Sequence, residues 1–134
     1  MIDVFMTTVA GINFRATTED IGPVIGYVQK DENNEFDPRA VGVYKPKGEL
    51  LGFIPSKDLD KFYEFKGDYD KLVFTGNIKL LKKYGKEYFV GSIAIIKSEN
   101  EEELTEIANE YLMDENFSSY GKSNVIRVEC GKKD

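Results

Sequence analysis

The sequence predicts a mainly β domain in which an antiparallel sheet curls into a small barrel of about six strands. Short segments rich in β-branched and aromatic residues follow one another along the chain, and glycine or proline lies in the connections between them. The pattern lacks the regular alternation of strands and helices that a parallel sheet needs. One helix is expected between the fourth and fifth strands, and a second one near the C-terminal end.

The first four strands occupy the N-terminal part of the chain. Gly11 follows the end of the first, Gly22 marks the turn before the second, and Lys45-Pro46-Lys47-Gly48 has the composition of a hairpin connection between the third and the fourth. The predicted strands are Ile2 to Val9, Pro23 to Gln29, Ala40 to Tyr44 and Leu50 to Ile54.

The next two strands are predicted to form a long β-hairpin. Residues 71 to 81 alternate between apolar and polar side chains, which places Leu72, Phe74, Ile78 and Leu80 on one face. The strand 87 to 96 follows after the connection Lys82-Lys83-Tyr84-Gly85-Lys86. We interpret the lysines of this connection as charges that keep an exposed hairpin soluble, and contact with nucleic acid is the alternative.

A short helix is predicted after the fourth strand. Ser56, which follows Pro55, is the expected N-cap, and Gly67 is expected to end the helix. Leu59, Phe62 and Tyr63 lie between these positions with the spacing of one apolar stripe.

Residues 98 to 134 are predicted to pack on the barrel of residues 1 to 97 within the same domain. Ser98 and Glu101 form a capping-box pattern, and a short edge strand is expected at 124 to 129. Helical spacing relates the apolar residues Leu104, Ile107, Ala108, Tyr111 and Leu112. This stripe is expected to face the barrel, and the docking of a protein partner is the alternative.

The side-chain inventory excludes most catalytic and cofactor chemistry. The chain contains no histidine, so it can form neither a Ser-His-Asp triad nor a histidine zinc site. Its single cysteine, Cys130, allows neither an internal disulfide nor a cysteine zinc site. Glycine-rich phosphate loops are absent. We therefore predict a protein that is not an enzyme and that uses no metal ion and no cofactor.

Hydropathy and charge limit the partners. No apolar segment reaches the roughly 18 residues that a membrane span needs, and no signal-peptide pattern is found, so a cytoplasmic protein without membrane contact is expected. Residues 1 to 97 carry 14 basic and 14 acidic side chains, and residues 98 to 134 carry 4 and 10, which gives the net charge of −6. A neutral surface suits one or two phosphates of a strand end better than a long duplex.

The most informative segment is the polar loop between the second and third strands. Asn33, Asn34 and Asp37 offer donors and acceptors for a base edge or a sugar hydroxyl, while Phe36 offers a flat face for a base. The same residues have a structural interpretation, because Asn and Asp side chains order turns and Phe36 could close the end of the barrel. Taken alone, the loop leaves both interpretations open.

Motifs along the first three quarters of the chain resemble the HIRAN domain family. In order, they are Gly11 with Phe14, Asp31, Asn33-Asn34, Phe36-Asp37, Ala40-Val41, Val43 and Gly52-Phe53-Ile54-Pro55. The resemblance covers roughly residues 4 to 96. It implies an OB-like barrel and a module that binds single-stranded DNA by holding its free 3′ end.

The resemblance also implies roles for individual residues. Phe14 and Phe36 would stack on the terminal bases, Asp37 would accept a hydrogen bond from the 3′-hydroxyl, and Asn33 and Asn34 would contact base edges or the backbone. The full set of residues expected to contact DNA is Asn13, Phe14, Arg15, Asn33, Asn34, Phe36, Asp37 and Lys57.

Two departures from the family pattern motivate a second hypothesis. Glu35 stands where members commonly have Pro, and Asn13 stands where DNA-binding members have Arg, so both reduce the attraction for phosphate. Positive charge to compensate is available at Arg15, Arg39 and Lys57. The alternative function is a protein-interaction or adaptor domain that keeps the barrel and has lost DNA binding.

Overall fold

A computed structural model describes residues 2–97 and 125–128, which form one antiparallel sheet of seven strands with short helical segments. The strands are β1 (Ile2–Thr8), β2 (Gly22–Lys30), β3 (Val41–Tyr44), β4 (Leu50–Phe53), β5 (Lys71–Lys83), β6 (Lys86–Ile96) and β7 (Val125–Val128). The helical segments are α1 (Leu59–Lys66) and the 3-10 turns Ile12–Phe14, Thr18–Asp20 and Ser56–Asp58. No helix in these two ranges has the length and hydropathy to cross a membrane.

The sheet curls so that its first and fourth strands approach each other. The strand order is β4-β3-β2-β5-β6-β1-β7. Just after β1, Ala10 and Phe53 exchange two backbone hydrogen bonds of 2.7 and 2.9 Å, which join the β1 side of the sheet to β4. A side chain at Gly52 would collide with Val9 and with the Ala10 carbonyl, so this approach requires glycine.

The core lies inside this curl and is closed by α1. Phe5 on β1 meets the ring of Phe62 edge-on at 5.5 Å between centroids and the tilted ring of Phe65 at 5.4 Å. Phe5 and Phe62 are almost completely buried, and burial of an aromatic ring of this kind contributes roughly 1.5–3 kcal/mol. The helix therefore fills the barrel with two aromatic side chains from successive turns.

The prediction of a mainly β antiparallel fold is confirmed. Each strand lies within one or two residues of its predicted bounds, including the short C-terminal strand, which pairs with β1 as an edge strand. The expected helix at 98–112, its protein-docking alternative and Cys130 fall outside the described residues.

The prediction of Ser56 as the helix N-cap is wrong. Ser56 begins a 3-10 turn, and Asp58 occupies the N-cap position of α1 without a capping hydrogen bond from its side chain. The buried Asp58 carboxylate instead accepts a 2.7 Å hydrogen bond from the Thr7 hydroxyl, which ties the start of the helix to β1. Gly67 ends the helix with φ 54°, as the sequence suggested.

One ion pair fastens the segment after β1 to the hairpin between β3 and β4. Asp20 accepts a 2.8 Å hydrogen bond from the Thr17 backbone N–H and lies 2.7 Å from the Lys45 ammonium group. Burial by itself raises the pKa of Asp20, but the hydrogen bonds from Lys45 and Thr17 outweigh it and hold the pKa below the ordinary value of 3.8. The hydrogen bond with Asp20 raises the pKa of Lys45.

We predict that Asp20→Asn lowers the free energy of unfolding at neutral pH by about 1–2 kcal/mol. Because the folded state lowers the pKa of Asp20, the carboxylate stabilises the fold above the unfolded-state pKa. This contribution is lost as the pH falls through the folded-state pKa. Urea unfolding at neutral pH and near pH 2 measures the difference, with Glu19→Gln as the control in the same turn. A deficit of the same size at both pH values would contradict the ion-pair explanation.

Candidate nucleic-acid interface

An open cleft of about 420 Å³ lies where the sheet closes. Its walls come from the segment after β1, the loop between β2 and β3, the end of β4 and the start of the helical region. The residues that line it are Ala10, Arg15, Asn34, Phe36, Asp37, Ala40, Phe53, Ile54, Ser56 and Leu59. The volume lies in the range typical of sites for small ligands, and most of these side chains are apolar.

Backbone hydrogen bonds order the loop between β2 and β3. The Asp31 N–H donates to the Ala40 carbonyl at 2.9 Å and closes the base of the loop, while the Ala40 N–H donates to the Asp37 carbonyl at 3.0 Å. Within the loop, the Asn34 side-chain oxygen accepts from the backbone N–H groups of Phe36 at 2.9 Å and Asp37 at 2.8 Å. This Asx-type arrangement fixes the backbone at both candidate ligand residues.

Phe36 is held out in solvent. Its side chain is 97% exposed, although its backbone N–H is fixed by Asn34. A single exposed apolar side chain is ordinary, but this ring combines nearly complete exposure with an ordered backbone and a place on a cleft wall. The structural interpretation in which Phe36 closes the barrel is therefore wrong, and the ring is available for stacking.

Asp37 stands next to this ring and has an acceptor to spare. One carboxylate oxygen, Oδ1, accepts a 2.9 Å hydrogen bond from the Arg39 N–H, and Oδ2 has no hydrogen bond within the described part of the chain. The backbone carbonyl of Arg39 accepts a 2.8 Å hydrogen bond from the Tyr63 hydroxyl, and the Arg39 guanidinium group lies 2.8 Å from the Asp60 carboxylate. The loop end that carries Asp37 is thus anchored to α1.

Arg15 supplies the positive charge in the cleft. Its guanidinium group lies 5.3 Å from the centre of the Phe53 ring and donates a 3.3 Å hydrogen bond to the Gly11 carbonyl. No acidic side chain within residues 2–97 and 125–128 pairs with Arg15, whereas Arg39 is paired with Asp60. Arg15 therefore remains the cation in the cleft that is open to an anionic ligand.

Four of the eight sequence-predicted contact residues line the cleft, and the other four do not. Asn13 exchanges two hydrogen bonds with the Phe89 backbone, at 2.6 and 3.3 Å, so its amide belongs to the fold. Phe14 is 88% exposed but outside the cleft wall, and Asn33 is exposed without a hydrogen bond in the described ranges. Lys57 is exposed and its ammonium group lies 3.4 Å from both Asp58 oxygens.

Asn34 lines the cleft with a different role from the one predicted. Its oxygen is occupied by two backbone N–H groups, and its side-chain NH₂ group donates to Asp31 at 3.3 Å. A side chain occupied in this way positions its neighbours and has little capacity left for a base edge. The structural interpretation of Asn34 is the one that the hydrogen bonds support.

Sequence reasoning missed part of the cleft wall, which includes Ala10, Ser56 and Leu59. These residues carry no local signal, because small and aliphatic side chains occur throughout the chain and only the closure of the sheet brings them together. Within the described ranges, no three acidic or cysteine side chains converge as a metal site.

Two solved structures are similar to this chain. The HIRAN domain of human HLTF is 15% identical over 88% of each chain, with a TM-score of 0.44. A protein from Lactobacillus plantarum is 16% identical over 70% of this chain and 98% of that chain, with a TM-score of 0.44. No protein-family model and no curated protein matches the sequence. The first of these two structures is a domain of the family that the sequence motifs resemble.

We predict that Asn34→Ala loosens the loop while the barrel stays folded. The change removes the acceptor for the N–H groups of Phe36 and Asp37, and one such hydrogen bond contributes about 1 kcal/mol. Amide hydrogen exchange at these two residues should become about fivefold faster. Asn33→Ala is the matched control, because Asn33 is exposed and holds no backbone group. Equal exchange rates in the two variants would contradict the positioning role.

Proposed function

We propose that the cleft binds the 3′ end of a single DNA strand and that the protein is a binding module without catalysis. The observation that carries the proposal is the pairing of a solvent-exposed aromatic ring, Phe36, with a neighbouring carboxylate, Asp37, that keeps one oxygen open. The resemblance of these residues to the HIRAN motif supports the same assignment.

Each part of a terminal nucleotide has a matching group in the cleft. The exposed ring of Phe36 suits a base, because stacking on an aromatic ring tolerates any base and contributes about 1–3 kcal/mol. The open Oδ2 of Asp37 suits a hydroxyl donor. The guanidinium group of Arg15 has further N–H donors besides the one bonded to Gly11, and these suit a phosphate. The apolar side chains of Phe53 and Ile54, which also line the cleft, suit the carbon atoms of the sugar.

The charge of Asp37 is what makes this set selective for an end. A 3′-hydroxyl can donate to the carboxylate, whereas a sugar inside a strand carries a phosphodiester at that position and has no proton to donate. A terminal 3′-phosphate would place negative charge against negative charge and remove the donor as well. A free hydroxyl is therefore the ligand that the cleft should prefer.

We predict that the protein prefers a short single strand ending in a 3′-hydroxyl over the same strand ending in a 3′-phosphate by about tenfold or more. The estimate follows from the value of a hydrogen bond to a charged group, about 1.5–3 kcal/mol. Asp37→Asn should reduce the preference for the 3′-hydroxyl strand to within about threefold. The amide oxygen of asparagine can still accept the hydrogen bond from the Arg39 N–H, but its NH₂ group would present a neutral donor to the ligand.

Fluorescence anisotropy with strands labelled at the 5′ end measures both affinities. Circular dichroism checks whether Asp37→Asn is folded. The proposal fails if the unaltered protein binds the two strands equally, or if the variant keeps the full preference.

We predict that Phe36→Ala weakens binding of the same short strand by about fivefold to 150-fold, which corresponds to one lost stacking contact. Because the side chain is 97% exposed, the free energy of unfolding should change little. Tyr69→Ala is the control, since Tyr69 is 39% exposed and does not line the cleft. A loss of affinity of similar size in both variants would point to a general effect of exposed rings.

A further inference from the structure

The β5–β6 hairpin extends past both of its neighbours in the sheet. The pairing of β2 with β5 ends at Ile78, and the pairing of β1 with β6 ends at Ser92, whereas β5 and β6 stay paired to the end of the hairpin. We call residues 79–90 the arm. It is a two-stranded ribbon whose residues 81–87 are all exposed.

The arm carries a concentrated positive charge. Four lysines and one glutamate lie within residues 79–90, although residues 1–97 as a whole are neutral. Lys82 lies 3.8 Å from Glu87, while Lys79, Lys83 and Lys86 take part in no ion pair within residues 2–97 and 125–128. The pairing of Lys83 with Lys86 and the alternation along each strand place these three unpaired lysines on one face of the ribbon.

At the tip of the arm, Tyr84 has a left-handed backbone conformation that aromatic residues rarely adopt. Tyr84 and Gly85 form the two-residue turn with φ values of 54° and 78°, a turn in which asparagine and glycine are preferred. Tyr84 is nonetheless 92% exposed, and the Lys83 ammonium group lies 5.5 Å from the centre of its ring. The left-handed backbone at Tyr84 costs stability, and the exposed cation–π contact with Lys83 offsets only part of that cost.

The base of the arm adjoins the cleft through the turn after β1. The Asn13 side chain binds the Phe89 backbone at the base of the arm. Two residues further along the chain, Arg15 lines the cleft, and Phe14 lies between them with its ring 88% exposed. The hydrogen bonds between Phe89 and Asn13 thus connect the arm to a short segment that leads to the cleft. This segment carries the exposed ring of Phe14 and the positive charge of Arg15.

We propose that the arm is a second nucleic-acid contact, which binds the phosphates and one base of a single strand beyond the nucleotides held in the cleft. The inference rests on the proposed function of the cleft. A cleft of about 420 Å³ holds only the terminal part of a strand, so a longer strand extends beyond the cleft, and the arm lies next to it. The unpaired lysines suit its phosphates, and the ring of Tyr84 suits a base. The proposal adopts the alternative given for these lysines in the sequence analysis, contact with nucleic acid, in place of a role in solubility alone.

The test compares a short strand of about 4 nucleotides with a long strand of about 16, both ending in a 3′-hydroxyl. The variant with Lys83→Ala and Lys86→Ala should bind the short strand normally and the long strand more weakly. The slope of log affinity against log salt for the long strand should fall by about 1.4, the value for two phosphate contacts. Lys47→Ala with Lys61→Ala is the control, with the same charge change at two other exposed lysines.

Tyr84→Gly distinguishes a binding role of Tyr84 from a structural one, because it should raise the stability of the fold and lower the affinity for the long strand. Glycine relieves the positive φ, so the melting temperature should rise. Affinity for the long strand should nevertheless fall at least about fivefold. A purely structural turn residue would show only the first effect.

The outcomes also distinguish the arm from the cleft. Unchanged affinity and salt slope for the long strand in the arm variants, with a normal preference for the 3′-hydroxyl, overturn the arm contact alone. A second outcome is that the arm variants bind the long strand more weakly, while neither the variants nor the unaltered protein prefer a 3′-hydroxyl. This outcome overturns the proposed function of the cleft and supports a nucleic-acid contact at the arm. Equal losses in the Lys47 and Lys61 control attribute the effect to net charge and overturn the arm contact.

Discussion

The closing contact between Ala10 and Phe53 is the constraint on which the site depends. Two backbone hydrogen bonds bring the chain after β1 against β4, and the bare backbone of Gly52 allows the close approach. Ala10, Phe53 and Ile54 then become neighbouring parts of one cleft wall. Without this contact, the loop between β2 and β3 would face an open sheet edge, and Arg15 would have no fixed relation to it.

Some residues of the loop between β2 and β3 hold its backbone in place, and others leave their side chains accessible. Asn34 and Arg39 use their polar groups within the fold: one accepts the backbone N–H groups of the loop, and the other joins the loop to α1. Phe36 and Asp37 keep a ring face and an oxygen open. A recognition surface formed by an ordered loop loses less conformational entropy on binding than a mobile one. In the proposed function, Asn34 and Arg39 would therefore contribute to affinity without touching the ligand.

The distribution of charged side chains suits the proposed contact with only a few phosphates. The acidic and basic side chains of residues 1–97 are equal in number, so no broad positive surface attracts a duplex. Within this balance, Arg15 places one positive charge in the cleft, and four lysines lie close together in the arm. The proposed interface would make few phosphate contacts, and its affinity for a strand would depend on salt in proportion to that small number.

The local pattern of the sequence was sufficient for the strands and for the segment that carries the site. Alternation and turn residues identified the strands because strand pairing and burial of one face act on near neighbours in sequence. The motif at Phe36 and Asp37 marked the loop. The N-cap was misassigned because Asp58 bonds to Thr7, which lies 51 positions away, and no local rule anticipates such a partner.

What only the tertiary structure decided is which polar groups are already occupied. Asn13 and Asn34 look as suitable for a ligand as Asn33 or Asp37 when they are read along the chain. The fold, however, places the Phe89 backbone against Asn13 and two loop N–H groups against Asn34. The sequence by itself determined the strands and the chemical types in the loop. Whether a donor or acceptor is free depends on long-range partners, because a buried or ordered backbone group takes whichever side chain the fold places beside it.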